Sequence, residues 1–285
     1  MKGAMNEMPR LLFATDLDKT LLDDRAEVPQ ACLEAIRRYV EQGGAFTVAT
    51  GRPTRGVLIY PELMALVNLP IITYNGACIY DTVAKRTVWR RLLPESFAPL
   101  VREVLERFPR TGALVFHRED DETCVIRPDQ YTYEITWVRE HYDAPVRDLD
   151  EISLPWNKVV IAGPPEDVEA CAAYVRAHTP APVTVILSEG TFLELTGPDV
   201  GKGKALRRVA ELAGVDQAHT IAIGDSMNDM EMLCWAGLGV AVANAEPAVL
   251  QAADMVVASH VDHGVRDCIR DVALPALSKG WMPGR

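Results

Sequence analysis

The sequence predicts an α/β protein in which a doubly wound parallel sheet is interrupted by an inserted α+β segment. In both terminal parts of the chain, short uncharged runs followed at once by polar residues alternate with helical patterns. Buried parallel strands have this continuous apolar character, and ligands bind at their carboxyl ends. Between these parts the charge density rises and prolines recur. We therefore expect a core from residues 1–83 and 189–285 and an inserted domain at 84–188.

The first predicted strand, residues 11–15, ends on two carboxylates, Asp16 and Asp18. An Asp in this place can bind a hard cation through one oxygen and attack an electrophile with the other, while a second Asp moves a proton. Asp is also common in turns and at helix N-termini. The pair alone is therefore equally consistent with a strand-to-helix turn.

A helix is predicted after Pro29, because proline is favoured in the first turn and a helical spacing of apolar residues follows it. The helix should end at Gly43 and Gly44. Three residues mark its buried face: Leu33, Ile36 and Val40.

The next two predicted strands also end on polar residues. Residues 45–49 lead to Thr50, Gly51 and Arg52, whose hydroxyl and turn N–H groups could cradle a phosphate, although a plain turn is the alternative. Residues 69–73 lead to Asn75 and Gly76, a pair that also suits a hairpin turn into a strand at 78–80. Each site thus has an ordinary turn as its competing interpretation.

The inserted segment is predicted to form an α+β unit. Its expected helices are 96–108 and 165–177, and its expected strands are 113–116, 123–126, 158–162 and 183–187. The acidic run 119–122 is interpreted as a solvated hairpin tip rather than a metal site. The side chains of residues 131–137 alternate in the pattern of a strand, with a helix as the alternative interpretation. The tryptophans of the segment are expected to pack its core, with stacking on sugar rings as the alternative: Trp89, Trp137 and Trp156.

After the insert, strand–helix alternation resumes. Lys202 opens a helix that should end at Gly214, and a strand at 219–223 leads into Asp225, Asn228 and Asp229. Helices from 229 and 246 and strands at 237–243 and 255–258 complete the predicted sheet. Capping of a helix N-terminus is the competing interpretation for Asn228 and Asp229.

Two nucleotide-binding motifs fail on inspection. The stretch from Gly197 to Lys202 has three residues rather than four between its glycines, and Gly203 occupies the position where a Walker loop needs Ser or Thr. A dinucleotide fingerprint starting at Gly201 has Leu206 in place of its third glycine.

The composition excludes several classes of partner. A formal net charge of −11 argues against non-specific binding to nucleic acid or to membrane surfaces. Six well-separated cysteines and the lack of a long apolar run are typical of a cytoplasmic protein. His260 and His263 lie three residues apart but lack a third ligand, so we expect surface histidines rather than a metal site.

The polar strand ends together resemble the motifs of the haloacid dehalogenase (HAD) superfamily, and more closely those of its Cof-type phosphatases. Residues 16–22 match the first motif, 49–52 the second, Lys202-Gly203 the third and 224–229 the fourth. Further Cof-type segments lie at 74–77, 242–245 and 262–265. The insert then corresponds to the large α/β cap of this branch. The chain departs from the pattern at Lys19, where the family usually has Gly.

The resemblance implies a covalent mechanism. Asp16 would attack phosphorus to form an aspartyl phosphate, and Asp18 would protonate the leaving alcohol and then activate water. Mg²⁺ would be held by the carboxylates of Asp16 and Asp225 and by the backbone carbonyl of Asp18. The insert would act as a lid that excludes water and selects the leaving group.

The remaining motif residues would bind phosphate or orient the residues that do. The residues implied in phosphate binding are Thr50, Lys202 and Asn228, with Asn228 and Asp229 also able to orient Lys202 or to bind through water. Weaker candidates for lining the site are Gly51, Arg52 and Asn75.

The resulting hypothesis is a Mg²⁺-dependent phosphatase of small phosphorylated metabolites, such as sugar phosphates, acting as a monomer or weak homodimer. The alternative is a phosphomutase or phosphotransferase that passes the phosphoryl group from the same Asp to a second hydroxyl. A binding protein without catalytic activity is disfavoured because each chemical position is filled.

Overall fold

The computed structural model describes residues 11–117, 122–139, 144–188 and 190–279. The chain forms two compact units. The first comprises Met1–Thr50, Tyr60–Val88 and Gly201–Arg285, and the second comprises Gly51–Ile59 and Trp89–Val200. The domain boundaries expected from the sequence, with an insert at 84–188, stay a prediction.

The strands of the described residues are β1 (Leu12–Thr15), β2 (Ala45–Val48), β3 (Ile71–Thr73), β4 (Cys78–Asp81), β5 (Arg86–Arg90), β6 (Gly112–His117), β7 (Thr123–Ile126), β8 (Trp156–Ala162), β9 (Thr184–Ser188), β10 (Phe192–Thr196), β11 (Thr220–Gly224), β12 (Leu238–Val242) and β13 (Met255–Val257).

The α-helices are α1 (Gln30–Glu41), α2 (Thr54–Leu58), α3 (Pro61–Met64), α4 (Phe97–Arg107), α5 (Gln130–Tyr133), α6 (Pro165–His178), α7 (Lys202–Ala213), α8 (Met230–Trp235), α9 (Pro247–Ala252), α10 (Gly264–Cys268) and α11 (Leu274–Lys279). Short 3₁₀ turns lie at Tyr74–Gly76, Leu149–Glu151, Gln217–His219 and His260–Asp262, and π-helical turns at Glu134–Arg139 and Ile269–Ala273.

A five-stranded parallel sheet forms the core of the first unit. Its strand order is β13-β12-β11-β1-β2, and every neighbouring pair is parallel. The chain winds to one side from β1 to β2 and to the other from β11 to β13, so the order reverses between β1 and β11. Ligands of open α/β sheets bind at such a switch point, beyond the carboxyl ends of the strands. The predicted doubly wound α/β core is confirmed.

A small sheet of order β3-β4-β5 belongs to the same unit. Its first two strands are antiparallel, and a parallel bridge joins Ala49 to Ile72 beside β2. The Asn75-Gly76 pair therefore does lie in a hairpin connection, as its competing interpretation requires. Strand β5 was not predicted, because its sequence, RTVWR, is rich in arginine and lacks an apolar face.

Helix α1 begins at Gln30, with Pro29 in extended conformation just before it. The helix ends at a left-handed turn, in which Gly43 has a φ of 92°. Tyr39, rather than the expected Val40, completes the buried face, and its hydroxyl donates to the carbonyl of Leu11 at 2.6 Å. A polar tip that reaches a strand carbonyl lets this large ring be buried without an unpaired hydroxyl.

The second unit is built on a five-stranded sheet of order β7-β6-β8-β10-β9. All of its described pairings are antiparallel. Helices α4 and α6 pack on one face through apolar residues such as Phe97, Val168 and Val175, and Trp156 belongs to the same buried cluster. The expected core position of Trp156 is therefore confirmed.

Three details of the second unit differ from, or lie outside, the sequence-based expectations. Residues 131–137 lie in α5 and the π-helical turn after it, so the strand interpretation is wrong. Asp129 starts this helix, because its carboxylate accepts from the N–H groups of Tyr131 and Thr132. Strand β10 was missed, although its last four residues, LELT, alternate between apolar and polar side chains. The expected acidic hairpin tip falls largely on residues 118–121, outside the described residues.

Lys158 gives the second unit a nearly buried ion pair and a test of its stability. Its Nζ lies 2.6 Å from Oε2 of Glu194, and its side chain is 7% exposed against 14% for Glu194. We expect Lys158→Met to lower the free energy of unfolding by about 3 kcal/mol, because it removes the positive charge that faces the Glu194 carboxylate in a poorly solvated place.

Urea unfolding followed by tryptophan fluorescence measures this effect, with Arg176→Met on the exposed side of α6 as the control. Lys158→Met combined with Glu194→Leu should recover most of the loss, since the carboxylate that lost its counter-charge is then removed as well. Equal unfolding curves for Lys158→Met and the control would contradict a stabilising ion pair.

Candidate active site

The carboxyl end of β1 places Asp16 at the switch point of the sheet. Its backbone N–H donates to the carbonyl of Ile223 in β11 at 3.0 Å, so the strand pairing continues through this residue. Its side chain is buried, with the residue 4% exposed. Asp18 follows in a turn and is exposed. The two predicted acids thus occupy different environments, one enclosed and one open to solvent.

Lys202 reaches Asp16 from the first turn of α7. Its Nζ lies 2.7 Å from Oδ1 of Asp16 and 2.6 Å from Oδ1 of Asp229, and the lysine is 1% exposed. The residue before this helix, Gly201, packs closely against Gly76, where an added Cβ would lie 2.3 Å from the carbonyl oxygen of Gly201. Gly76 also has a φ of 93°, which favours glycine.

The loop after β11 brings Asp225 to the same place. Its Oδ1 accepts from the hydroxyl of Thr20 at 3.1 Å and its Oδ2 from the hydroxyl of Ser226 at 2.8 Å. Oδ2 of Asp229 accepts from the N–H groups of Asp225 and Ser226 at 3.0 and 3.1 Å. Asp229 therefore closes the loop before it instead of capping the helix after it.

Thr50, Asn75 and Asn228 form a connected group beside these acids. Thr50 and Asn75 are buried, and the N–H of Asn75 donates to the Thr50 carbonyl at 3.0 Å. Nδ2 of Asn228 donates to Oδ1 of Asn75 at 3.0 Å. Within the described residues, Oδ1 of Asn228 is buried and has no hydrogen-bond partner. The structure thus shows Asn228 bonded to another predicted site residue, with an acceptor atom left over.

Gly51 and Arg52 belong to the second unit. The Gly51 carbonyl accepts from Nζ of Lys158 at 3.2 Å, and Arg52 is 5% exposed. Their predicted role in lining the site stays a prediction.

The electrostatics of the site follow from burying three acids beside one lysine. Burial raises the pKa of Asp16 well above its usual range, Lys202 opposes this rise, and repulsion from Asp229 and Asp225 adds to it. Burial likewise raises the pKa of Asp225, as does its neighbour Asp229. For Lys202, burial by itself would lower the pKa, but the carboxylates of Asp16 and Asp229 outweigh it and raise the pKa. The ammonium is therefore held in its charged form.

The acids offer a donor set that suits a hard divalent cation. Carboxylate oxygens of Asp16, Asp225 and Asp229 lie within 4.8 Å of one another, and one ammonium does not balance three carboxylates. Both oxygens of Asp229 are already bonded, to Lys202 and to two backbone N–H groups. Asp16 and Asp225 are therefore the side chains best placed to hold a cation. No other such cluster of acidic, histidine or cysteine groups occurs within the described residues.

The two histidines take no part in a metal cluster of the described residues. His260 and His263 are half-buried rather than on the open surface. The His260 ring bonds Oδ1 of Asp24 through Nε2 at 3.0 Å.

Comparison with known proteins identifies the family. A sequence model of haloacid dehalogenase-like hydrolases matches residues 13–269, a range that includes every residue of the site described above. The chain belongs to this family. The protein YxeH of Bacillus subtilis, named as a phosphatase without a stated substrate, is 31% identical over 274 residues, which cover 92% of this chain and 98% of that protein.

A second relative has a named substrate. The 5-amino-6-(5-phospho-D-ribitylamino)uracil phosphatase YitU of Bacillus subtilis is 29% identical over 280 residues, covering 91% of this chain and 96% of that protein. Among solved structures, a haloacid dehalogenase-like hydrolase from Bacteroides thetaiotaomicron has a TM-score of 0.83 at 28% identity, covering 92% of this chain and 99% of that one. These matches confirm the predicted family, its fold and an enzyme of the phosphatase type.

Several residues that hydrogen-bond to the site were not named from the sequence, although most of them lie in its motif segments. They are Thr20 and Ser226, which bond Asp225, and Asn244 and Glu246, which bond the loops around it. Thr20 and Ser226 each follow a motif Asp within two residues, so a search for hydroxyls next to the acids would have found them. Asn244 lies in the Cof-type segment 242–245, which marked the stretch without giving the residue a role.

Proposed function

We propose that the protein is a Mg²⁺-dependent phosphomonoester hydrolase that acts through an aspartyl phosphate on Asp16. The observation that carries this proposal is the buried bridge of Lys202 between Asp16 and Asp229, beside Asp225. A cation fixed against a carboxylate is what an anionic nucleophile needs in order to approach an anionic phosphate ester.

Asp16 acts as the nucleophile in the first step. Lys202 donates to Oδ1, and we assign Oδ2 as the oxygen that bonds to phosphorus while the bond from phosphorus to the ester oxygen breaks. Asp18, exposed two residues further on, gives its proton to the leaving oxygen. In the second step a water attacks phosphorus, its proton passes to Asp18, and the Asp16 carboxylate leaves.

Lys202 serves both the carboxylates and the substrate. An ammonium group has three N–H donors, and the two carboxylates take two of them. The third is assigned to a phosphoryl oxygen, together with the Thr50 hydroxyl. Because Nδ2 of Asn228 donates to Asn75, we assign Asn228 to hold Asn75 and Thr50 in place. We also assign its Oδ1 to accept a hydrogen bond from a donor in the occupied site.

Asp16 and Asp225 would hold Mg²⁺, with Asp18 contributing its backbone carbonyl. When bound, the ion supplies positive charge that masks the repulsion between the carboxylate and the phosphate. Asp229 keeps Lys202 in position, so its carboxylate acts on the site without binding the ion.

The site and the relative with a named substrate support a proposal for the substrate class. YitU acts on a phosphomonoester of a ribityl chain. We infer that this chain acts on small phosphorylated metabolites, sugar phosphates among them, and by hydrolysis rather than transfer to a second hydroxyl. Its net charge of −11 supports a protein without a nucleic-acid partner, and its six cysteines, which form no disulfide, support a cytoplasmic one. We propose a monomer or weak homodimer. No helix of the described residues is long and apolar enough to cross a membrane.

Removal of divalent metal tests the proposal. We expect phosphate release from a panel of phosphomonoesters to fall by roughly 10³-fold or more after chelation and to return on adding Mg²⁺, because the charge of the acids is then unmasked. The assay is inorganic phosphate release by the full chain, with the metal-restored enzyme as the control. An unchanged rate in chelator would contradict the metal requirement, and no release from any ester would contradict the phosphatase assignment.

A further inference from the structure

The turn that follows Asp16 is held in a conformation that its own sequence disfavours. Lys19 has a φ of 57°, in the left-handed region where a side chain is strained. The turn is closed by the N–H groups of Thr20, Leu21 and Leu22, which all donate to the carbonyl of Leu17 at 2.9–3.3 Å. Asp18 lies inside this turn, so its position depends on the left-handed geometry at Lys19.

Asn244 contacts this turn from the loop after β12. Its Nδ2 donates to the carbonyl of Lys19 at 2.8 Å, and its Oδ1 accepts from the N–H of His260 at 2.9 Å. Both ends of the amide are therefore bonded to backbone, which fixes the orientation of the side chain.

The loop that carries Asn244 is hydrogen-bonded to the loop after β11, which carries Asp225. The N–H of Glu246 donates to the carbonyl of Asp225 at 2.8 Å, and the Thr20 hydroxyl donates to Oδ1 of the same Asp225. The contacts thus form a closed ring from Asp225 through Glu246 and Asn244 to Lys19, and back through Thr20. Asn244 is the side chain that joins the two halves of this ring.

We propose that Asn244 is a positioning residue that holds the Asp18–Lys19 backbone in its left-handed turn and so fixes Asp18 relative to Asp225. It touches neither substrate nor metal and acts through the Lys19 carbonyl. The expected effect on catalysis rests on the proposed function. The expected effect on the turn rests only on the hydrogen bonds that Asn244 makes.

The kinetic test is a double-variant cycle between Asn244 and Lys19. Asn244→Ala should lower kcat about 10-fold and leave KM within about twofold, because the turn leaves its left-handed geometry while the phosphate-binding groups stay in place. In a Lys19→Gly background the same substitution should lower kcat by about twofold at most, since glycine adopts a positive φ without strain. Gln251→Ala on the exposed side of α9 is the control.

Amide hydrogen exchange provides a readout that is independent of turnover. The N–H groups of residues 20–22 should exchange roughly 10-fold faster in Asn244→Ala than in the parent, and the increase should shrink in the Lys19→Gly background. Unchanged exchange at these amides overturns the inference. Equal losses of kcat in the two backgrounds also overturn it, because the substitution would then act independently of Lys19.

The two proposals fail in different ways. If the parent protein releases phosphate and Asn244→Ala matches it in kcat and exchange, the inference alone is wrong. If the parent releases no phosphate from any ester, the proposed function is wrong. The exchange data then test by themselves whether Asn244 holds the turn in its left-handed geometry.

Discussion

Replacing Asp16 by Asn is expected to lower kcat by roughly 10⁴-fold or more, because the amide cannot form the acyl phosphate that divides the reaction into two steps. The chain should remain folded, since Asn fills the same volume at the end of β1 and Lys202 keeps its contact with Asp229. Steady-state phosphate release and thermal unfolding of the same preparation measure both results.

Two comparison variants sharpen this test. Glu34→Gln, on the exposed side of α1, removes a carboxylate away from the site and should retain full activity. Asp18→Asn should affect alkyl phosphates more than aryl phosphates with acidic leaving groups, because the latter leave without a proton. Asp16→Asn should affect both substrates equally. Full activity in Asp16→Asn would show that Asp16 is not the nucleophile.

Replacing Lys202 by Met is expected to affect both stability and turnover. In the absence of divalent metal, the free energy of unfolding should fall by about 3–5 kcal/mol, because three clustered carboxylates lose the ammonium between them. Added Mg²⁺ should recover part of this loss by supplying charge to the same acids. We also expect kcat to fall by roughly 10²–10³-fold, since a donor to the phosphoryl group is lost.

The matched control is Lys204→Met, which removes an exposed lysine from the same helix. Lys202→Arg should recover little activity, because the planar guanidinium cannot meet two carboxylates and a phosphate in the geometry of an ammonium. Chemical unfolding with and without Mg²⁺ provides the comparison. A Lys202→Met protein with the control's stability and turnover would show that the bridge contributes to neither.

The sequence predicted the core of the site because parallel strands end at one edge. Asp16 and Asp225 follow two strands that turn out to be neighbours, and Lys202 starts the helix that leads into the second of them. Polar residues at strand ends therefore predicted several of the side chains that the structure brings together. Their motif pattern also indicated the family that the comparisons confirm.

The distribution of contacts within the site could not be predicted in this way. Which oxygens of Asp229 bond to Lys202 and to the loop N–H groups depends on loop geometry, not on motif spacing. Asn244 lies 225 residues from Lys19 in the chain, and its contact there arises only from how the loop after β12 folds back.

Elements outside the core were predicted less well, for reasons that lie in local chemistry. The short alternation in residues 131–137 favoured a strand, but Asp129 supplies a helix cap just before it. The face of α1 was misjudged at one position, because the hydroxyl of Tyr39 finds a strand carbonyl and permits burial of the ring. In both cases a polar side chain bonded to backbone decided the outcome.

Trapping the phosphoenzyme tests the central claim most directly. Acid quenching of the full chain during turnover of a ³²P-labelled phosphomonoester with Mg²⁺, followed by borohydride reduction, converts a phosphorylated aspartate to homoserine. In the parent chain we predict protein-bound label before reduction and homoserine at position 16 after it, when the labelled phosphate has been released, and neither in Asp16→Asn. Turnover by the parent with no label on Asp16, at quench times short enough to catch the intermediate, would contradict a covalent mechanism through this residue.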